Sequence, residues 1–417
     1  MRGTNLAQKS FLSLFFFTLF FKFGAGIHYT VLSALGERVF PVWVVGIIIS
    51  GASVLQMVLD VPAGILLDRW GYTRLLKIFV GVFLGASAIM FFGLNPVLFV
   101  GTVFLATFGW LFYGPGVNAY ILSEAPHAVA GKTMGRMHAF ESAGIVASAA
   151  VLPFIILAPS YVIGTVVFGL LVVAFAFLCF VPRERSLVHH VPKTPRHHYY
   201  IRREFLHNVI AAMRKLNPAS ALLALQNFSS ATFYGMIWFA VPIAIAQGLA
   251  GDLPSVGLGV FDLAVVILGA FFGKLADTLH KPLLVVGGLF LFAGAGFLLG
   301  FNLNLLFLLL GFIATAGDEL SSVSLWAWLD ALDADHAQNG LVNGVITFFE
   351  DLGWAIGPLV AGLTYEFIGP GGVIVMGASV LFVTFLVSVA LLYHPRIRPL
   401  HALRGLSLAP HRRRHKH

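Results

Sequence analysis

The sequence predicts an all-α polytopic membrane protein, with twelve transmembrane helices arranged as two pseudo-symmetric six-helix bundles. Three observations predict it: an apolar composition, a regular succession of apolar runs, and a repeat that maps one half onto the other. Of 417 residues, 59% are hydrophobic and only 11% charged, whereas soluble domains carry about 25% charged residues. The mean hydropathy is +0.90. A soluble enzyme is excluded on these grounds. The single cysteine, Cys179, lies in an apolar run, and one thiol can build neither a disulfide framework nor a multi-thiolate metal site.

A hydrocarbon core about 30 Å thick takes roughly 20 apolar residues per helix. Twelve stretches meet this need, at 10–34, 41–67, 75–94, 96–123, 132–157, 160–182, 218–248, 254–276, 282–301, 303–329, 337–365 and 371–394. Turn chemistry separates them, as at Pro41, Asn95-Pro96, Pro159-Ser160, Asp252-Leu253-Pro254 and Gly369 to Gly372. The domains are therefore an N-terminal half (1–182), a basic linker (183–217), a C-terminal half (218–395) and a basic tail (396–417).

Charge placement orients the chain. Between Arg183 and Pro218 stand eight basic residues against Glu184 and Glu204, and seven more basic residues with no acid follow Pro395. Short basic loops stay cytoplasmic, so both termini are expected inside, with Arg38 the one basic residue in an outer loop. The linker and tail are expected to meet anionic lipid, the 201–216 stretch as a basic amphipathic helix. Arg2 and Lys9 before Phe11 to Phe21 imitate a signal peptide. Lys22 interrupts the apolar core and the run continues to Leu35, which favours a retained first helix.

The halves align without gaps at an offset of 209. Gly64 to Asp68 falls on Gly273 to Asp277, Asn95 on Asn304, His127 on His336, Phe140-Glu141 on Phe349-Glu350, and Gly144 on Gly353. Agreement of separate regions at one offset argues for duplication, a usual origin of transporters. The run GILLDRWGYTR at 64–74 resembles the loop signature of the major facilitator superfamily. Gly64, Leu66, Asp68, Arg69, Gly71 and Arg74 carry the resemblance; Leu67 and Tyr72-Thr73 depart from it. The second copy keeps Gly273, Leu275 and Asp277 but has Thr278 in place of Arg. The resemblance spans residues 10–394 and implies alternating access, with cargo left open because this fold serves many substrates. It also implies that Gly64, Asp68, Arg69, Gly71, Arg74, Gly273 and Asp277 form a conformational latch that stabilises the outward-facing state. The alternative is a solvated anchor of positive charges.

Ionisable groups inside a bilayer tend to be paired, cavity-facing and functional. At 1.5 Å per residue, Lys22, Glu141, Asp262, Asp318, Glu319, Glu350 and Asp351 lie roughly 12 to 23 Å from a helix end. Six carboxylates for one ammonium leave acids that must be protonated, hydrated or bound to a cation, and these six are the proton-coupling candidates. Glu141 and Glu350 lead because they are repeat-equivalent, although Glu141 also has His138 one turn away for a local pair. Asp262 falls on Ser53 and has no acidic counterpart. The substrate-cavity candidates are Lys22 and Tyr29 on the first span, Trp110 and Tyr113 on the fourth, Asn227 and Tyr234 on the seventh, and Trp326 on the tenth. Each group falls at helical spacing, and the resemblance implies that these spans line the central cavity.

Weaker signals complete the reading. The Gly-Pro pair that antiporters of the superfamily carry on the fifth span is absent there and appears on the eleventh, in GWAIGPLVAG at 353–362. His189-His190 and His197-His198 fit a solvated basic segment better than a metal site. No nucleotide-binding loop and no Ser-His-Asp arrangement is evident, so no catalytic residue, metal, cofactor or nucleic-acid partner is expected. The expectation is a monomeric secondary transporter in a plasma membrane, taken as a prokaryotic inner membrane, exporting an amphipathic or cationic compound by proton antiport. The alternatives are a proton symporter importing a sugar or organic acid, with Lys22 as its anion anchor, and a non-transporting receptor or assembly protein.

Overall fold

The computed structural model describes residues 2–124, 127–183, 218–249, 253–332 and 339–392. The linker beyond Arg183, the tail and His336 lie outside the described residues, and with them the expected lipid contacts. The N-terminal half consists of α1 (Arg2–Glu37), α2 (Val42–Trp70), α3 (Tyr72–Ile89), a 3-10 turn (Met90–Phe92), α4 (Pro96–Leu111), α5 (Tyr113–Glu124), α6 (His127–Ile155) and α7 (Ser160–Cys179). The C-terminal half consists of α8 (Pro218–Ala246), α9 (Leu253–Thr278), α10 (Lys281–Leu299), α11 (Leu306–Leu332) and α12 (Asn339–Leu392). No strand occurs among the described residues.

Among the described residues, ten stretches are long and apolar enough to cross a membrane. One of them, Val345–Leu392, has 48 residues, enough for two crossings, and Gly369 breaks it with φ +64°. Pro370 follows, without an N–H to continue the ladder, so α12 carries the eleventh and twelfth expected spans. The 26-residue α9 stands where the eighth is expected. The fourth span is two helices, α4 and α5, separated at Phe112. Pro115 cannot donate to the Leu111 carbonyl, which places the break about one turn ahead of Pro115, within the stretch that leads into Gly114-Pro115-Gly116. Asn95 caps α4 by accepting from Leu98 N at 2.9 Å, and its repeat mate Asn304 accepts from Leu306 N at 2.9 Å where α11 begins.

The duplication is visible in packing. A Cβ on Gly144 of α6 would lie 2.5 Å from Leu19 O, 2.9 Å from Lys22 Cβ and 3.0 Å from Phe23 N of α1. A Cβ on Gly353 of α12 would lie 2.5 Å from Phe228 O, 2.7 Å from Ala231 Cβ and 3.0 Å from Thr232 N of α8. These are the same three positions, 209 residues apart. Backbone atoms cannot withdraw as a flexible side chain can, so Gly144→Ala and Gly353→Ala should each cost about 1–3 kcal/mol. Thermal unfolding in detergent should show both lowered, and an unchanged melting temperature would contradict such close helix contact.

Between the halves, α2 packs on α12, α6 on α9 and α1 on α8. Gly46 of α2 meets Pro358 and Gly362 of α12, where a Cβ would lie 2.6 Å from Pro358 O and 3.0 Å from Gly362 Cα. Gly259 of α9 meets Ala149 of α6, its Cβ position 2.7 Å from that of Ala149. Both contacts sit within about two turns of the face bearing Glu37. On that face Gln247 Nε2 donates to Glu37, and Tyr365 Oη donates to Gln247 Oε1 at 3.0 Å. The halves are therefore joined, backbone against backbone, on the face bearing Glu37.

Candidate substrate cavity

A cavity of about 540 Å³ lies between the halves. Of the candidate residues, Lys22, Tyr29, Trp110, Tyr234, Asp262, Asp318, Glu350 and Asp351 line it. Lys22 is the one basic side chain in its described lining, against these four carboxylates. Gln56, Trp238 and Trp354 add polar and aromatic surface.

Lys22 is already engaged. Its Nζ lies 4.3 Å from the Trp110 ring centre and 4.8 Å from that of Tyr113, a cation–π arrangement, and 3.8 Å from Glu141 Oε1. Tyr113 Oη donates to Glu141 Oε1 at 2.8 Å, and His138 Nδ1 lies 2.8 Å from Oε2. Glu141 thus has partners on both oxygens, and its side chain is only 15% exposed. Tyr113 is buried behind Trp110, stacked on Phe21 at 4.4 Å.

Asp318 is supplied with donors from α8: Ser230 Oγ at 2.8 Å and Gln226 Nε2 at 3.3 Å to Oδ1, and Tyr234 Oη at 3.0 Å to Oδ2. Gln226 and Ser230 were not among the sequence candidates. Their spacing of four ahead of Tyr234 was the available signal, since such residues stack along a helix. Glu319 turns to α9, its Oε1 3.2 Å from the Cβ position of Gly269. Glu350, Asp351 and Asp262 face the cavity without an ion pair among the described residues. Asp351 meets one further group, the carboxyl of Asp60 on α2.

Asn227, Tyr113 and Trp326 are not among the described residues that line this cavity. Asn227 stands two turns, about 10 Å, beyond Tyr234 along α8, and Trp326 about 12 Å beyond Asp318 along α11. Trp326 is 41% exposed. At the expected latch, Gly71 takes φ +89° and joins α2 to α3, its N–H bonded to Leu67 O, a conformation that favours glycine. Arg74 lies over the Trp70 ring at 5.7 Å, while Arg69 and Asp277 are exposed. The surroundings of Gly64 and of the Asp68 side chain lie outside what the structure describes, and a Cβ at Gly273 would meet open space.

Two halves with matching helix contacts around one central cavity are the architecture of a secondary transporter. The sequence matches the Major Facilitator Superfamily over residues 10–330 and 223–410. The chain belongs to that superfamily. It is an integral membrane protein and a secondary transporter. Among similar solved structures is a mutant of the nucleoside transporter NupG, at 11% identity and TM-score 0.69, covering 93% of this chain and 99% of that one. A bacterial homologue of the human drug peptide transporters PepT1 and PepT2 matches at 14% identity and TM-score 0.68, covering 96% and 100%. The human organic anion transporter MFSD10 (TETRAN) matches at 17% identity and TM-score 0.62, covering 92% and 98%. At these identities the likeness carries the fold alone. No curated protein sequence matches the chain.

Proposed function

We propose that this transporter is proton-coupled and carries cationic or amphipathic small molecules, with export by proton antiport as its direction. The observation that carries the reading is the cavity's charge: four carboxylates line it, and its one ammonium, Lys22, is already held by Glu141. Carboxylates at mid-membrane need a proton or a cation, so cargo and protons compete for the same groups. Neutralising those groups lets the halves rock. Orientation follows the basic linker and tail, with both termini cytoplasmic and anionic lipid at their surface. The inner membrane of a prokaryote and a monomeric state complete the proposal.

An organic acid as cargo would have to draw Lys22 away from Glu141 and two aromatic rings, which disfavours the organic-acid form of the importing alternative. The test is proton movement in proteoliposomes holding a pH gradient, challenged with cationic, neutral and anionic solutes. Cations are expected to drive proton movement, and anions are not. Solute flux without proton movement, or flux restricted to anions, would overturn the proposal.

A further inference from the structure

Lys22 and Ala231 are one position in two copies. The offset of 209 pairs them, and the packing agrees: Lys22 Cβ meets the Gly144 position at 2.9 Å, and Ala231 Cβ meets that of Gly353 at 2.7 Å. One turn before each glycine stands a glutamate, Glu141 or Glu350. In the N-terminal half, Glu141 is supplied by the tethered Lys22 ammonium, the Tyr113 phenol and the His138 ring. In the C-terminal half the counterparts are Ala231, Ser322 and Thr347, so the ammonium, the phenol and the imidazole are all missing from the repeat. Glu350 faces the cavity instead.

We infer that Glu350 binds an alkylammonium group of the cargo, which takes beside Ala231 the place that the Lys22 side chain takes beside Glu141. The inference rests on the cation-transport reading and narrows it to a chemical group and a residue. Trp354, also in the lining, stands four residues after Glu350 and so on the same helix face. It offers the group an aromatic surface, as Trp110 does for Lys22. Asp262 and Asp351 share the cavity and raise its negative potential, while the described C-terminal lining contributes no basic side chain. The N-terminal half therefore keeps its cation permanently, and the C-terminal half exchanges one. Ammonium and proton become alternatives at Glu350, which ties one cargo cation to one proton.

The test is calorimetric titration of the purified full chain with propylammonium, the part of a lysine side chain beyond Cβ, with propanol as the neutral control. Wild type should bind propylammonium at one site and propanol not at all. Glu350→Gln should weaken binding roughly tenfold or more, as expected when a charged hydrogen bond is lost, and Ala231→Lys should abolish it by installing a tethered competitor. Lys22→Ala should gain a second site, at Glu141, so that the stoichiometry rises from one to two. A wild type that binds no propylammonium, or unchanged binding in Glu350→Gln together with a single site in Lys22→Ala, would overturn the inference. The expected binding pattern without cation-driven proton movement in proteoliposomes would sink the transport reading alone. Cation-driven movement that survives Glu350→Gln and Ala231→Lys would sink the site alone.

Discussion

Glu141→Gln is expected to destabilise the protein strongly, while its repeat equivalent Glu350→Gln leaves stability nearly unchanged. Lys22 and Glu141 are 13% and 15% exposed as side chains and 3.8 Å apart. Removing one partner of a buried pair leaves the other charge uncompensated, at a cost of about 3–5 kcal/mol. Cation–π contact with Trp110 and Tyr113 softens this loss by about 0.5–2 kcal/mol and does not cancel it. The double variant Lys22→Met/Glu141→Gln removes both charges and should recover most of the stability. Glu350 has no such partner among the described residues, so its neutralisation should change unfolding by less than about 0.5 kcal/mol. Reversible denaturation of the purified chain in detergent decides the matter. Equal stability of Glu141→Gln and wild type would mean that the pair contributes nothing.

That contrast separates what the sequence reveals from what only the packing reveals. The two glutamates look alike in sequence: same offset, same neighbours Phe140 and Phe349, same glycine one turn on. Their difference lies in partners brought from α1 and the junction of α4 and α5, distances that a one-dimensional pattern does not hold. Helix existence was legible because a bilayer demands long apolar runs, and the turn at Gly369-Pro370 because such residues end helices. The split at Phe112 falls about one turn before Pro115, since a proline's missing donor acts on the carbonyl four residues earlier. Asn227 and Trp326 show a different limit. Helical periodicity gives the direction a residue faces and not which cavity it reaches, and neither residue is in the described lining.

Gly46→Leu is expected to hold the transporter open on the face bearing Glu37 and to abolish transport. Alternating access requires that face to close by contact between α2 and α12, and here closure leaves no room for a side chain. A Cβ at Gly46 would already fall 2.6 Å from Pro358 O and 3.0 Å from Gly362 Cα. Leucine adds further carbons to that clash. Unlike Gly144 and Gly353, whose contacts lie within one half, Gly46 touches the opposite half, so the strain is relieved by rocking the halves apart and not by unfolding either. Gln247→Ala should push the same way more weakly, because it removes only the hydrogen bonds to Glu37 and Tyr365, worth about 0.5–1.5 kcal/mol each. Ser33 lines the cavity and is buried, which makes it the reporter. With Ser33→Cys in a Cys179→Ser background, an impermeant maleimide added on the side away from the basic linker should label the Gly46→Leu protein at least roughly tenfold faster, a shift of about 1.4 kcal/mol. Gln247→Ala should give an intermediate rate. Unchanged labelling with transport retained would show that the glycine contact does not gate this face, and closure would then have to rest on α6 and α9, where Gly259 meets Ala149.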